Sequence, residues 1–178
     1  MKQLFFLFPF AILFFACGNE KPADVKTETP PATPPPAEFA DMKYAEMGKK
    51  GLASLSSGDI DNWMADFADN AVYVWNNGDS LAGKTVIADY WKKRRGDVIE
   101  SISFSNEIWL PVKVNTPQSM EQPGVWLLSW YQTTAKYKTS GKTMSQWIHT
   151  DYHFDANDKI DRVIQYVDRA VINAAATK

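Results

Sequence analysis

Few side chains in this sequence are equipped for chemistry, and most of them fall near its end. His149-Thr150-Asp151-Tyr152-His153 sets two imidazoles and a carboxylate at alternate positions. On a β-strand, alternate residues project from one face about 6.6 Å apart, so His149, Asp151 and His153 could share a metal ion. The same pattern describes the polar outer or subunit-facing side of a sheet, which is the favoured reading, and no metal site is assigned. Asp168 stands just before Arg169-Ala170-Val171-Ile172, where an aspartate caps a helix without any catalysis. Cys17 is the single cysteine, which excludes an internal disulfide and a multi-cysteine zinc site.

The elements that must carry these residues follow from periodicity. Gln146 to Asp168 reads as two alternating runs around Asp155-Ala156-Asn157-Asp158-Lys159, a β-hairpin. Ile148, Thr150, Tyr152 and Phe154 form its mostly apolar face, and His149, Asp151 and His153 face the other way. Upstream, residues 38–57 show a helical stripe of Tyr44, Met47, Gly48, Gly51, Leu52 and Leu55. The two glycines imply close packing or space left beside the helix. Gly58 ends that helix, and Asp59 caps a shorter one carrying Ile60, Trp63, Met64 and Phe67. Ala71 to Trp75 is a strand closed by Asn76-Asn77-Gly78-Asp79. A third helix runs from after Gly83 to Arg95, where Lys92-Lys93-Arg94-Arg95 places cations on the negative helix end. The remainder reads as strands over 100–109, 112–115, 125–138, 143–154 and 160–167. Ser140-Gly141-Lys142-Thr143 mimics the end of a phosphate-binding loop but joins two strands, so it is a turn and no cofactor is expected.

Composition narrows the function classes. With 178 residues, 45% hydrophobic and 13% aromatic, the chain can bury one core. A net charge of -2 gives no electrostatic case for nucleic acid. The front of the chain is a positive start followed by an apolar, Phe-rich run from Leu4 to Ala16, too short to span a bilayer comfortably and typical of an export signal. Phe14-Phe15-Ala16-Cys17 resembles the lipobox of bacterial lipoproteins, which implies cleavage after residue 16, lipid on Cys17 and anchorage in the cell envelope. Gly18 rather than Asp after the cysteine implies the outer membrane. Residues 17–37, with Thr29-Pro30-Pro31-Ala32-Thr33-Pro34-Pro35-Pro36 at their centre, read as an extended tether. The folded domain is expected over 38–178.

Three helices ahead of a long curved antiparallel sheet make an α+β cone. Leu55-Ser56-Ser57-Gly58-Asp59-Ile60-Asp61, Phe67-Ala68-Asp69-Asn70-Ala71, Gly83 before the third helix, and Phe154, Lys159-Ile160 and Tyr166-Val167-Asp168 resemble, in order and spacing, the nuclear transport factor 2-like (NTF2-like) superfamily in its SnoaL-like branch. That resemblance implies a deep apolar pocket, frequent dimerisation through the outer sheet face, and either enzymatic or purely binding roles. It implies no function by itself. Matching the ketosteroid isomerases puts their tyrosine at Gly51, their base at Trp75 and their oxyanion acid at Thr150, so all three groups are missing. In the polyketide cyclases of the branch an aspartate near the end of the last strand acts as acid or base, and Asp168 matches it. Two functions therefore stand side by side. One is a binding module with Trp75, Tyr90, Trp130, Thr150 and Tyr152 around a small apolar or aromatic ligand; the other is a cyclase, isomerase or dehydratase using Asp168. A scaffold that binds an envelope partner through the outer sheet face is a third, and the resemblance also makes a homodimer possible.

Overall fold

A computed structural model describes residues 33–118 and 122–178 of the chain. Residues 1–32, including Cys17 and most of the proline tether, lie outside it. The order is β1 (Ala37–Phe39), α1 (Lys43–Ser57), α2 (Ile60–Met64), β2 (Phe67–Trp75), β3 (Ser80–Ala82), α3 (Lys84–Lys93), β4 (Ile99–Val114), β5 (Gly124–Tyr137), β6 (Thr143–Phe154), β7 (Ile160–Tyr166) and α4 (Arg169–Ala176). Seven strands form one sheet in the order β1-β4-β5-β6-β7-β2-β3. Only the β2 and β7 pair is parallel.

The sheet curls around α1, α2 and α3, and the core fills the concavity. Irregularities in register between Ser105 and Ile108 and between His153 and Phe154 introduce local bends. Asn106 takes a left-handed φ of 55° at the first of them. Strand parity then decides which side each residue faces. On β5, Leu127, Ser129, Tyr131, Thr133 and Ala135 are at most 2% exposed and face the helices.

Both glycines of α1 serve close packing. A Cβ on Gly48 would meet Trp109 Cζ3 at 2.5 Å and Leu127 Cδ2 at 2.8 Å, while one on Gly51 would meet Trp63 Cδ1 at 3.2 Å. Gly58 ends α1 with φ 85°, and Asp59 Oδ1 accepts from the Asn62 amide at 3.1 Å to start α2.

Several boundaries differ from the sequence reading. Phe67, read as part of the second helix, opens β2, which therefore starts before Ala71. Residues 37–39 are not the first turn of α1 but a strand paired to β4, with Ala37 opposite Val114. Strands 100–109 and 112–115 are one strand running through Pro111. The third helix does not stop regularly at Arg95. It widens into a π turn over Arg94–Val98, and such turns are rare and concentrate at functional sites.

Candidate ligand-binding cavity

The concave sheet and the helices form a cavity of about 90 Å³. That is several times the ~10–15 Å³ that one water needs. Leu55 of α1, Trp63 of α2, Tyr90 and Trp91 of α3, and Arg169, Ile172 and Asn173 of α4 wall one side. Tyr73 and Trp75 of β2, Phe104 of β4, Tyr131, Thr133 and Tyr137 of β5, Ile148 and Tyr152 of β6, and Gln165 of β7 wall the other. Arg94, from the π turn, completes it.

Aromatic contacts make this wall continuous. Ring centroids are 4.8 Å apart for Tyr73 and Trp75, 5.4 Å for Trp75 and Tyr90, 5.6 Å for Tyr90 and Trp91, and 5.5 Å for Trp91 and Trp63. Tilted and edge-to-face pairs of this kind each contribute about 0.5–1.5 kcal/mol beyond area burial. The wall is therefore stiff and preformed.

A polar seam crosses the base of the cavity. Trp75 Nε1 donates to Gln165 Oε1 at 3.2 Å, and Gln165 Nε2 donates to Thr150 Oγ1 at 3.4 Å. The Tyr131 hydroxyl shares a 2.7 Å hydrogen bond with the same Thr150 oxygen. Burial pushes the Tyr73 and Tyr152 phenols well above their ordinary value, and burial also raises Tyr131 against the opposing Thr150 hydrogen bond. These hydroxyls stay protonated at neutral pH. Two lining residues, Trp91 and Thr133, each carry a buried polar atom, Nε1 and Oγ1, with no hydrogen-bond partner.

The sequence-selected residues divide clearly. Trp75, Tyr90 and Tyr152 line the cavity. Thr150 is 1% exposed and sits behind the wall, holding Tyr131 and Gln165. Trp130, assigned to the pocket from sequence, lies on the opposite face. Its β5 neighbours Ser129 and Tyr131 face inward, so parity sends Trp130 outward, where it stacks on His149 at 4.5 Å and 23°. Asp168 is exposed and caps α4, its Oδ1 accepting from the Ala170 amide at 2.8 Å and the Val171 amide at 3.4 Å. It is not among the residues that line the cavity. Gly51 lies against Trp63 and Trp75 bonds Gln165, so neither position offers an isomerase acid or base.

On the outer face, His149 and His153 turn to different carboxylates. His149 Nε2 lies 2.9 Å from Asp151 and its Nδ1 2.9 Å from the Ser129 carbonyl. His153 Nδ1 lies 2.5 Å from Asp161 and its Nε2 3.1 Å from the Pro123 carbonyl. Among the described residues, no three His, Cys, Asp or Glu side chains converge as a metal site requires.

Sequence reading missed Arg94, Tyr73, Trp91, Tyr131, Thr133 and Gln165. Tyr73 could have been found from its parity with Trp75 on β2. Arg94 could not, because it reaches the cavity only through the widened turn.

Solved structures with the same arrangement decide the fold. No family model matches this sequence, and no curated protein matches it. A proposed polyketide cyclase from Xanthomonas campestris is 14% identical, with 76% of this chain and 98% of that one covered and a TM-score of 0.61. An NTF2-like protein from Burkholderia pseudomallei is 9% identical, with 75% and 97% covered and a TM-score of 0.60. The chain has an NTF2-like fold. A third neighbour, a protein of ketosteroid isomerase-like fold from Catenulispora acidiphila in complex with trimethylamine, is 13% identical, with 74% of this chain and 92% of that one covered and a TM-score of 0.56. Identities this low establish the NTF2-like fold and leave the chemistry of the cavity to its own residues.

Proposed function

We propose that the cavity binds a small, flat, apolar or aromatic molecule, in a domain tethered to a bacterial outer membrane by lipid on Cys17. The observation that carries the binding reading is the pair of buried donors, Trp91 Nε1 and Thr133 Oγ1, left unpartnered in an otherwise aromatic wall. A buried polar group without a partner costs roughly 1–3 kcal/mol, and a ligand acceptor would recover that. The trimethylamine complex of the Catenulispora protein is consistent with small-molecule binding in this fold.

Binding is favoured over acid–base catalysis because the lining contains no Asp, Glu, His, Lys or Cys. Its titratable groups are arginines and tyrosines, which do not exchange protons readily near neutrality. Asp168, the alternative acid or base, is engaged at the N-terminus of α4.

A thermal-shift screen of small aromatic compounds tests this reading. A ligand at about 100 times its Kd adds roughly 2.7 kcal/mol of stability. Wild type should be stabilised by at least one compound, and Ala135→Phe, which fills the cavity from a position only 1% exposed, should not respond. Equal responses of the two proteins, or none from wild type, would overturn it. The lipid anchor is tested separately by metabolic palmitate labelling, which should mark wild type and spare Cys17→Ser.

A second reading concerns the convex sheet face as a contact with another copy of the chain. Ile108, Trp130, His149 and Tyr166 stand opposite one another on four successive strands. The row ends in Ile108 and Tyr166, 54% and 47% exposed. Sedimentation of Ile108→Glu against wild type should show a shift from dimer to monomer.

A further inference from the structure

Aromatic walls alone do not fix the charge of a guest. A box of Trp and Tyr rings suits a quaternary ammonium ion as readily as a neutral ring. The charged groups in the wall decide between these. Two guanidinium groups, Arg94 and Arg169, line the cavity, and no carboxylate does. Arg169 is already neutralised by Asp79 and lies over the Trp75 ring at 5.5 Å. Arg94 forms no ion pair among the described residues.

The π turn explains why Arg94 and its neighbour differ. Arg95 is turned under α1, donating to the Leu55 carbonyl at 3.0 Å and the Ser56 carbonyl at 3.0 Å. Arg94 is turned the other way, into the cavity, half-buried. Trp91, whose indole N–H is unpartnered, stands one helical turn before it. A cation in a cavity wall that carries no carboxylate favours an anionic guest. A planar carboxylate matches its forked donors in a bidentate pair.

We propose that the cavity selects an aromatic monoanion, with its ring system between the Trp and Tyr walls and its carboxylate on the Arg94 guanidinium and the Trp91 indole N–H. This rests on the ligand-binding reading above and adds the charge of the ligand to it. Burial raises the Tyr73 and Tyr137 phenols, and the charge of Arg94 partly offsets this at both, with a hydrogen bond from Arg94 adding to it at Tyr137.

Isothermal titration calorimetry on the full chain, with three probes sharing one aromatic body, tests the proposal. The probes are cinnamate, cinnamamide and cinnamyltrimethylammonium. Wild type should bind cinnamate about ten-fold more tightly than the amide, the scale of a charge-assisted hydrogen bond, and should bind the cation least. Arg94→Gln should lose the preference for the anion while retaining amide affinity, and Arg94→Lys should keep part of it. Unchanged circular dichroism and thermal midpoint would show that both variants fold. Equal binding of all three probes overturns the anion assignment and leaves the binding function standing. Tightest binding of the cation overturns it in favour of an ammonium cage. No binding by any probe overturns both.

Discussion

Thr133 and Ser129 lie four residues apart on the same face of β5, and their hydroxyls are in opposite situations. Ser129 is fully buried and donates to the Thr150 carbonyl at 2.7 Å. Thr133 is 2% exposed and its Oγ1 has no hydrogen-bond partner. In the unfolded chain both hydroxyls are hydrated, so folding costs Thr133 a bond that Ser129 keeps. Thr133→Val preserves shape and β-branching, removes the unsatisfied hydroxyl, and should stabilise the domain by about 1–3 kcal/mol. Ser129→Ala should destabilise it by about 0.5–1.5 kcal/mol. The two substitutions on one strand face therefore differ in sign. Urea denaturation followed by tryptophan fluorescence measures both, with an unchanged m-value showing that midpoints compare like with like. In a domain of this size each kcal/mol moves Tm by roughly 3 °C. If Thr133→Val destabilises as Ser129→Ala does, the hydroxyl is satisfied in solution and the argument that it awaits a ligand fails. A stabilised Thr133→Val should also bind aromatic ligands less well, exchanging stability for function.

Gly48→Ala should lose stability, because overpacking against the rigid Trp109 ring at 2.5 Å costs about 1–3 kcal/mol and exceeds the helix gain of up to ~1 kcal/mol. Gly51→Ala, with only Trp63 at 3.2 Å, should be near neutral, and denaturation of the pair checks the contrast. Asp151 has its carboxyl raised chiefly by burial, against the opposing charge of His149. A raised folded-state value means stability is fullest below the unfolded value, about 3.9, and falls as pH rises through the folded value; Asp151→Asn should remove that decline above the unfolded value, and a variant with the same pH profile as wild type would refute it. Asp168→Ala should cost about 0.5–2 kcal/mol and Asp168→Asn much less, since Asn also caps, with equal losses in urea counting against the capping role.

The fold was legible in the sequence because its signals are local and mutually consistent. Alternation over 143–154 placed Ile148, Thr150, Tyr152 and Phe154 inward, and each is at most 7% exposed. Gly58 and Asp59 marked the corner between α1 and α2 as helix stop and cap. Trp130 shows where the reading weakened: β5 is aromatic on both faces, with Tyr131 facing in and Trp130 facing out, so hydrophobicity alone could not assign parity. Its register against His149 was the missing datum.

The site was less legible because its polarity comes from departures from regular structure. The four consecutive cations Lys92 to Arg95 read as charge on the negative end of a helix. In the fold three of them take separate roles. Lys92 pairs with Asp61 at 2.6 Å, Arg95 caps the carbonyls that end α1, and Arg94 enters the cavity. A regular α-helix separates neighbouring side chains by about 100° around its axis, and the wider π turn changes that spacing at Arg94. The carbonyls at the end of α1 hold Arg95 under that helix, leaving Arg94 to face the cavity. The residue proposed to choose the ligand is thus positioned by its immediate neighbour, through contacts with a helix some 40 residues earlier in the chain.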